Sequence, residues 1–411
     1  MTFSTKSETL QLLEGGQALF PALVRAFDAA SSWIQLETYI FDFHGAGAVV
    51  ADALVRASRR GVTVQVLVDA VGTGPLPDEW QQKFASSGVQ WCAYSPVGSS
   101  LGFLVPERWR RLHRKLCVVD EQIVFCGGIN VLDDFYDPNH GNLEAPRFDF
   151  AVILTGPLAV EATEAMALLW WRVQAGYSAR QRHLNEAWEK FKAAGYGGRT
   201  DAKRLAQPVD SSPANLTGGS RPKAALVLRD NLRNRHSIEQ AYRKAIGKAH
   251  REIIIANAYF LPGGKLRRAL IKAARRGVHV TLLLQGKYEY FMQYHAARPV
   301  YGALLAAGVE IHEYSTSFLH AKVAVVDGHW ATVGSSNLDP LSLLLAREAN
   351  VVIEDRTFAG ELSACLHEAV AYHGERLDPA AYSQRPLGRR IQAWIAYALM
   401  RLALMLTGQR Y

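Results

Sequence analysis

No uninterrupted apolar stretch of the 411-residue chain reaches the roughly 18–20 residues that a membrane-spanning helix needs. The N-terminus, MTFSTKSETLQLLEGG, has no basic segment followed by a long apolar one, so no secretory leader is expected. Cysteine is scarce. Cys92, Cys117, Cys126 and Cys365 lie too far apart for a CxxC pair, and each falls in or near an apolar run. They read as small buried hydrophobes in a reducing compartment. Charged residues make up only 20% against 49% apolar, which is too apolar for disorder. A mean hydropathy of −0.04 is too polar for a multi-span membrane protein. Lysine is sparse too: 13 Lys stand against 33 Arg, with a net charge of +8. Arginine is the better fork for phosphate and carboxylate, so anionic partners fit. The charge alone does not choose between nucleic acid, phospholipid and plain solubility. The length suggests two or three domains, each able to bury a core.

What the chain does have is a copy of itself. IQLETYIF at 34–41 is matched by IIIANAYF at 253–260, and RRGVTVQVLVD at 59–69 by RRGVHVTLLLQ at 275–285. SGVQWCAYS at 87–95 is matched by AGVEIHEYS at 307–315, and LHRKLCVVD at 112–120 by LHAKVAVVD at 319–327. The blocks keep their order at offsets of 207 to 220, which is a domain duplication and not a short solenoid repeat. Within each half, β-branched apolar runs alternate with helical stretches closed by a glycine (VVADALVRASRRG, KLRRALIKAARRG). Strand, helix, strand with near-continuous apolar strands predicts an α/β sandwich with buried sheets. The expected division is a first domain over 1–158, a connecting helix and linker over 159–222, a second domain over 223–384 and a tail over 385–411. Trp170, Trp171, Trp188 and Phe191 are the expected packing anchors of the connecting helix, and 200–222 is rich in turn formers.

One polar constellation occurs twice at identical spacing. The first copy is His113, Lys115, Asp120, Gly127, Gly128 and Asn130; the second is His320, Lys322, Asp327, Gly334, Ser335 and Asn337. Residues two apart on a strand share a face, so each His stands beside its Lys. A buried ammonium is costly without an anion, so the pair implies one. Asp120 and Asp327 have the opposite parity and fall at strand ends, as structural partners more than reacting groups. The small residues and Asn after the next strand (Gly128, Asn130, Ser335, Asn337) allow backbone and amide donors to approach a phosphate.

With these motifs the chain resembles the phospholipase D superfamily, whose HxKxxxxD signature occurs twice, and the resemblance covers residues 20–375. It implies an α/β fold of two duplicated sandwich domains with pseudo-twofold symmetry, whose motifs meet in one active site. His113, Lys115, Asp120, His320, Lys322 and Asp327 become the catalytic set. One His attacks phosphorus to give a phosphohistidine, and the other protonates the leaving alcohol and then activates the incoming hydroxyl. His113 is assigned as nucleophile and His320 as acid/base, with the reverse left open by the symmetry. Lys115, Lys322, Asn130 and Asn337 would hold the phosphoryl oxygens, and no metal or other cofactor is needed. A reacting imidazole also needs its far nitrogen fixed, and Asp149 and Glu348, one in each half, are the candidate carboxylates. The first half has eight extra residues in 131–147, a polar loop near the site that either shapes an acceptor pocket or is surface.

FCGGINVLDDFYDP, PRFDFAV and HWATVGSSNLDPLSLLLAREANVVI narrow the resemblance to bacterial cardiolipin synthases of the B type, which lack N-terminal transmembrane helices. The implied reaction moves a phosphatidyl group onto phosphatidylglycerol, at the cytoplasmic face of the bacterial cell membrane. The implied partner is an anionic phospholipid surface, with no nucleic acid. Gly128, where the superfamily usually has Ser, weakens a role for a hydroxyl there. A lipid hydrolase or a nucleic-acid phosphodiesterase would use the same motifs. The latter should carry a longer basic groove interleaved with aromatics. Here positive charge concentrates in 221–251, with nine Lys or Arg against two acids, and in 385–411, with five Arg and no acid. In the tail, Ile391, Trp394, Ile395, Ala398, Leu399, Leu402, Met405 and Leu406 recur at helical spacing. The alternatives are a helix lying in the lipid interface and a helix docked on protein.

Overall fold

A computed structural model describes residues 9–95, 110–138, 140–180, 223–230, 234, 236–287, 291–339 and 346–406. The first half runs β1 (Leu10–Glu14), α1 (Gly15–Ala29), β2 (Trp33–Thr38), α2 (Gly45–Arg59), β3 (Thr63–Asp69), α3 (Asp78–Ser87) and β4 (Gln90–Tyr94). It continues through β5 (Arg111–Leu112), β6 (Leu116–Val119), β7 (Ile123–Gly127), a small ribbon of β8 (Tyr136–Asp137) and β9 (Gly141–Asn142), β10 (Phe150–Thr155) and α4 (Pro157–Arg180). The second half runs β11 (Lys223–Arg229), α5 (Ser237–Lys248), β12 (Glu252–Asn257), α6 (Gly264–Arg275), β13 (His279–Gln285), α7 (Phe291–Leu305) and β14 (Glu310–Tyr314). After it come β15 (Lys322–Val326), β16 (Trp330–Gly334), β17 (Ala346–Glu354), α8 (Arg356–His373), β18 (Gly374–Arg376), α9 (Pro379–Ser383) and α10 (Leu387–Leu406).

The strand order of the first sheet is β1-β10-β7-β6-β2-β3-β4, and that of the second is β11-β17-β16-β15-β12-β13-β14-β18. Position for position the two agree, apart from the extra edge strand β18. The duplication expected from the sequence is therefore a duplication of topology, and the fold is the expected pair of α/β sandwiches.

The repeated text has local causes. In each RRGV segment the glycine takes a positive φ, +93° at Gly61 and +91° at Gly277, which closes the helix before it. The following Val62 and Val278 N–H groups then donate to Ala57 O at 3.2 Å and Ala273 O at 3.1 Å. The arginine before each glycine caps a neighbouring helix: Arg60 Nη2 donates to Phe27 O at 2.6 Å, and Arg276 Nη2 to Ile246 O at 3.0 Å. These are α1 and α5, equivalent elements of the two halves.

Helices α1–α3 cover the outer face of the first sheet through Leu23, Phe27, Leu54 and Phe84. Helices α5, α6, α7 and α10 cover the outer face of the second through Ile246, Leu270, Leu304 and Met400. Between the sheets lies one shared apolar cluster. Val118 and Val152 of the first sheet and Ile254, Val323 and Val351 of the second belong to it, with Met166 of α4 and Leu362 of α8. At about 1.5–3 kcal/mol for each large apolar side chain buried, this cluster holds the halves together far more than the two-residue β5–β17 ladder. The connecting helix is α4: Trp170 is buried and Trp171 packs beside it. Trp188, Phe191 and the linker at 200–222 lie outside the described residues.

All four cysteines are free thiols, three of them buried. Burial pushes the Cys92 and Cys126 thiols up to about 12, so they behave as hydrophobes, as the sequence suggests. Among the described residues no helix is long and apolar enough to cross a membrane.

Candidate active site

The two motifs meet where the halves exchange short strands. Arg111–Leu112 pairs in parallel with Ala346–Arg347, and Leu319 bridges Phe148 in the same sense. Each partner segment immediately precedes a candidate carboxylate. The His113 N–H donates to Arg347 O at 3.0 Å and the His320 N–H to Phe148 O at 2.9 Å. The side chains follow the backbone across. His113 Nδ1 lies 3.0 Å and 3.1 Å from the two oxygens of Glu348, and His320 Nδ1 lies 2.7 Å from Asp149 Oδ2. Asp149 and Glu348 each contact a histidine Nδ1, but the histidine is that of the other half. A carboxylate at Nδ1 holds the proton there and leaves Nε2 as the lone-pair nitrogen.

Both lysines are buried beside these pairs. Lys115 Nζ donates to His113 O at 3.0 Å, and Lys322 Nζ donates to His320 O and lies 3.7 Å from Asp149 Oδ2. Burial, followed by the lysine charges, holds His320 well below its ordinary pKa; His113 is lowered as well, again by burial first. Burial raises the Asp149 carboxyl to about 6, with Lys322 opposing, and lowers the Lys115 ammonium to about 7, with Glu348 opposing. Two buried lysines and two buried carboxylates thus surround the histidines.

The Lys115 shift has a measurable consequence. The folded chain releases this proton near 7, whereas the unfolded chain keeps it until 10.5. Between those values the unfolded state binds more protons, so this group makes stability rise with pH. Lys115→Met removes that slope. The thermal midpoint of the variant should gain on wild type as pH falls from 10.5 toward 7. A pH-independent difference would mean that Lys115 titrates normally.

Three expectations need correction. The resemblance counts Asp120 and Asp327 in the catalytic set, but their carboxylates are taken up by backbone donors, the structural role that their strand parity suggests. Asp120 accepts from the backbone N–H of Ser31, Ser32 and Trp33 at 2.8–2.9 Å, and Asp327 from those of His250, Arg251 and Glu252 at 2.8–2.9 Å. Each has a left-handed φ, +51° and +52°, at the tight turn leaving β6 or β15, a conformation aspartate tolerates. They tie that turn to the start of β2 or β12. Against the cost of burial, these donors pull the Asp120 carboxyl down to about 2. Ser335 is not set to bind phosphate either. Its hydroxyl donates to Glu348 Oε2 at 2.5 Å and accepts from the Ala349 N–H at 3.1 Å.

Gly128 is the third correction, because its N–H is taken by Phe150 O at 2.9 Å. A Cβ there would lie 2.3 Å from Asp149 Oδ1, so the missing side chain is what lets this shorter carboxylate sit in place. Gly with Asp in one half and Ser with Glu in the other are two local solutions to the same task. Asn130 turns its carbonyl oxygen to the Ile40 N–H at 3.2 Å, and Asn337 is buried.

Several positioning residues escape a motif reading. Asp69 Oδ2 accepts the Leu112 N–H at 2.8 Å, and Gln285 Oε1 accepts the Leu319 N–H at 3.2 Å. These are matched positions at the ends of β3 and β13, and each fixes the residue just before a histidine. The Tyr39 ring lies 5.0 Å from the His113 ring, centroid to centroid, where the aligned second-half residue is Ala258. That break in the repeat is the only sequence signal for it. The loop over 131–147 reaches the second half: Ser317 Oγ donates to Ala145 O at 2.7 Å, and the His140 ring lies 5.0 Å from Phe318.

Two histidine–lysine pairs, cross-braced by carboxylates at the seam of a duplicated sandwich, define a member of the phospholipase D superfamily. A family model described as "Cardiolipin synthase, PLD-like domain" matches residues 23–144 and again 242–369, and the chain belongs to that family. Cardiolipin synthase B of Escherichia coli strain K12 is 35% identical over 394 residues, covering 95% of this chain and 87% of that protein. The protein of the same name from Salmonella typhimurium is 36% identical over 394 residues, with the same coverage. The crystal structure of a Haemophilus influenzae phosphatidylserine synthase matches over 98% of this chain and 95% of that one, with a TM-score of 0.65. At 14% identity that match speaks to the fold.

Proposed function

We propose that the chain is a cardiolipin synthase that transfers a phosphatidyl group from one phosphatidylglycerol to a second through a phosphohistidine. The observation that carries the reading is the pair of histidines whose Nδ1 atoms are each fixed by a carboxylate of the opposite half, between Lys115 and Lys322. The reaction has two displacements. His113 Nε2 attacks phosphorus, the bond from phosphorus to the glycerol oxygen breaks, and His320 gives that oxygen its proton. His320 then takes a proton from a hydroxyl of the second phosphatidylglycerol, whose oxygen attacks phosphorus and breaks the P–N bond. Cardiolipin and glycerol leave, and the enzyme returns to its starting state.

The short contact to Asp149 supports His320 as the proton carrier, since the pair can share one proton. Lysine charge is among the causes that hold His320 low, and an anionic diester in the site offsets it, favouring the imidazolium when substrate is bound. Lys115, Lys322 and the amides of Asn130 and Asn337 hold the phosphoryl oxygens. Lipid access is at an anionic phospholipid surface, which the enzyme meets as a peripheral protein on the cytoplasmic face.

Vesicles containing phosphatidylglycerol as the sole phospholipid test the reading, with products resolved by mass spectrometry. Cardiolipin and glycerol in equal amounts are expected. Phosphatidic acid as the only lipid product would instead identify a hydrolase.

A further inference from the structure

We infer that the outer helical layer of the second half is the bilayer-docking face, an apolar stripe on α10 acting together with a basic groove between α5 and α6. The inference rests on the phospholipid reading of the active site and adds the surface by which the enzyme reaches its substrate.

Helix α10 has two unlike faces. Ala393, Ala396 and Met400 are buried, the last two in the cluster that also holds Val300 and Leu304 of α7. Nearby, the Tyr382 hydroxyl donates to Arg298 O at 2.6 Å and fastens α9 to α7. The opposite face carries Ile391, Trp394, Ile395 and Leu399, each more than half exposed at 51–57%. Met400 and two alanines seat the helix, while four large apolar side chains stay on the free face, more than a helix that merely completes a core would leave exposed. The helix is thus fixed to protein and still presents an apolar stripe.

In the same layer, α5 and α6 enclose an open groove of about 550 Å³. Arg243 and Lys244 line it from α5, and Lys265, Arg268 and Lys272 from α6; no acid lines it. Among the described residues none of these five side chains makes an ion pair. The groove accounts for part of the basic stretch at 221–251, to which the sequence assigns no role.

The charge selects the occupant. A second copy of this chain would bring another such groove and a net charge of +8, so self-association through this face sets like charges together. An anionic bilayer offers phosphates to the groove and acyl chains to the stripe, with Trp394 suited to the boundary. Because α10 is packed down, docking would fix the orientation of the active site to the membrane and would not merely tether it.

The test uses the full-length chain and two variants, one with Arg243→Gln, Lys244→Gln, Arg268→Gln and Lys272→Gln, the other with Ile391→Ser, Trp394→Ser and Ile395→Ser. Sedimentation is measured with phosphatidylcholine vesicles containing or lacking phosphatidylglycerol, and turnover with monomeric short-chain phosphatidylglycerol. Wild type should bind the anionic vesicles, less so at high salt. The groove variant should bind them at least about tenfold more weakly, and the stripe variant should lose binding to a similar extent. Both should keep wild-type turnover of the monomeric lipid. Undiminished vesicle binding by either variant overturns the inference, as does a stripe variant that turns a dimer into a monomer and still sediments. Wild-type binding to vesicles without any lipid turnover would sink the functional reading and leave the docking face standing.

Discussion

His113→Ala and His320→Ala should each lower phosphatidyl transfer by at least about 10³-fold, the scale of losing a covalent nucleophile or a general acid. The two variants should fail at different steps. Without His113 no P–N bond forms, whatever the leaving group. Without His320 the nucleophile remains, held by Glu348 at 3.0 Å, but an alkoxide must depart without a proton. A donor whose leaving group is a nitrophenolate needs no proton. With it, His320→Ala should release a burst of nitrophenol and accumulate labelled phosphohistidine, while His113→Ala should do neither. The opposite pattern would exchange the two roles. Loss of both signals in both variants, with folding intact by circular dichroism, would argue against a covalent route.

Asp149→Asn should be the second most damaging change, lowering transfer by about 10²–10⁴-fold through its effect on His320. The carboxylate accepts from His320 Nδ1 at 2.7 Å and from the Phe150 N–H at 2.8 Å, and lies 3.7 Å from Lys322 Nζ. An amide in its place can present a donor to Nδ1, which favours the tautomer with the proton on Nε2. It also leaves the buried Lys322 ammonium short of one counter-charge. With the nitrophenyl donor, Asp149→Asn should behave like His320→Ala, and Glu348→Gln like His113→Ala. The pairing by half would predict the reverse, so the experiment reads the exchange directly. Asp149 takes up its proton as pH falls through about 6, so wild-type activity should decline below that value. The residual activity of Asp149→Asn should lack that acid limb. A retained limb would assign it to another group.

Much of the fold could be read because the chain states it twice. A single HxK is weak, but two copies in the same order of flanking strands fix both the topology and the residues that must converge. The exchange of carboxylates could not be read. It depends on Leu112 and Leu319 bridging the opposite half, and nothing in the local sequence of either segment records that. Asp120 and Asp327 stand in the signature like the histidines, yet their geometry makes them turn clamps; motif membership does not distinguish chemistry from folding, whereas their opposite strand parity does. Ser335 misled for a related reason, since a hydroxyl beside a phosphate site and one bracing a carboxylate look the same in a sequence. In the tail, periodicity found the stripe of large residues, while the contacts that seat the helix come from Met400 and two alanines, Ala393 and Ala396, that the apolar spacing did not pick out.

The cross-bracing has a further consequence. Two identical subunits meeting about a true twofold axis would have to build both histidine–carboxylate pairs from the same residues. One compromise would then serve attack and protonation alike. Joined in one chain, the halves are released from that equality, and they have used the freedom: Asp with Gly on one side, Glu with Ser on the other, Tyr39 beside one histidine and Ala258 at the matching place. Fusion here permits two unequal halves. Each holds the carboxylate that braces the histidine of the other.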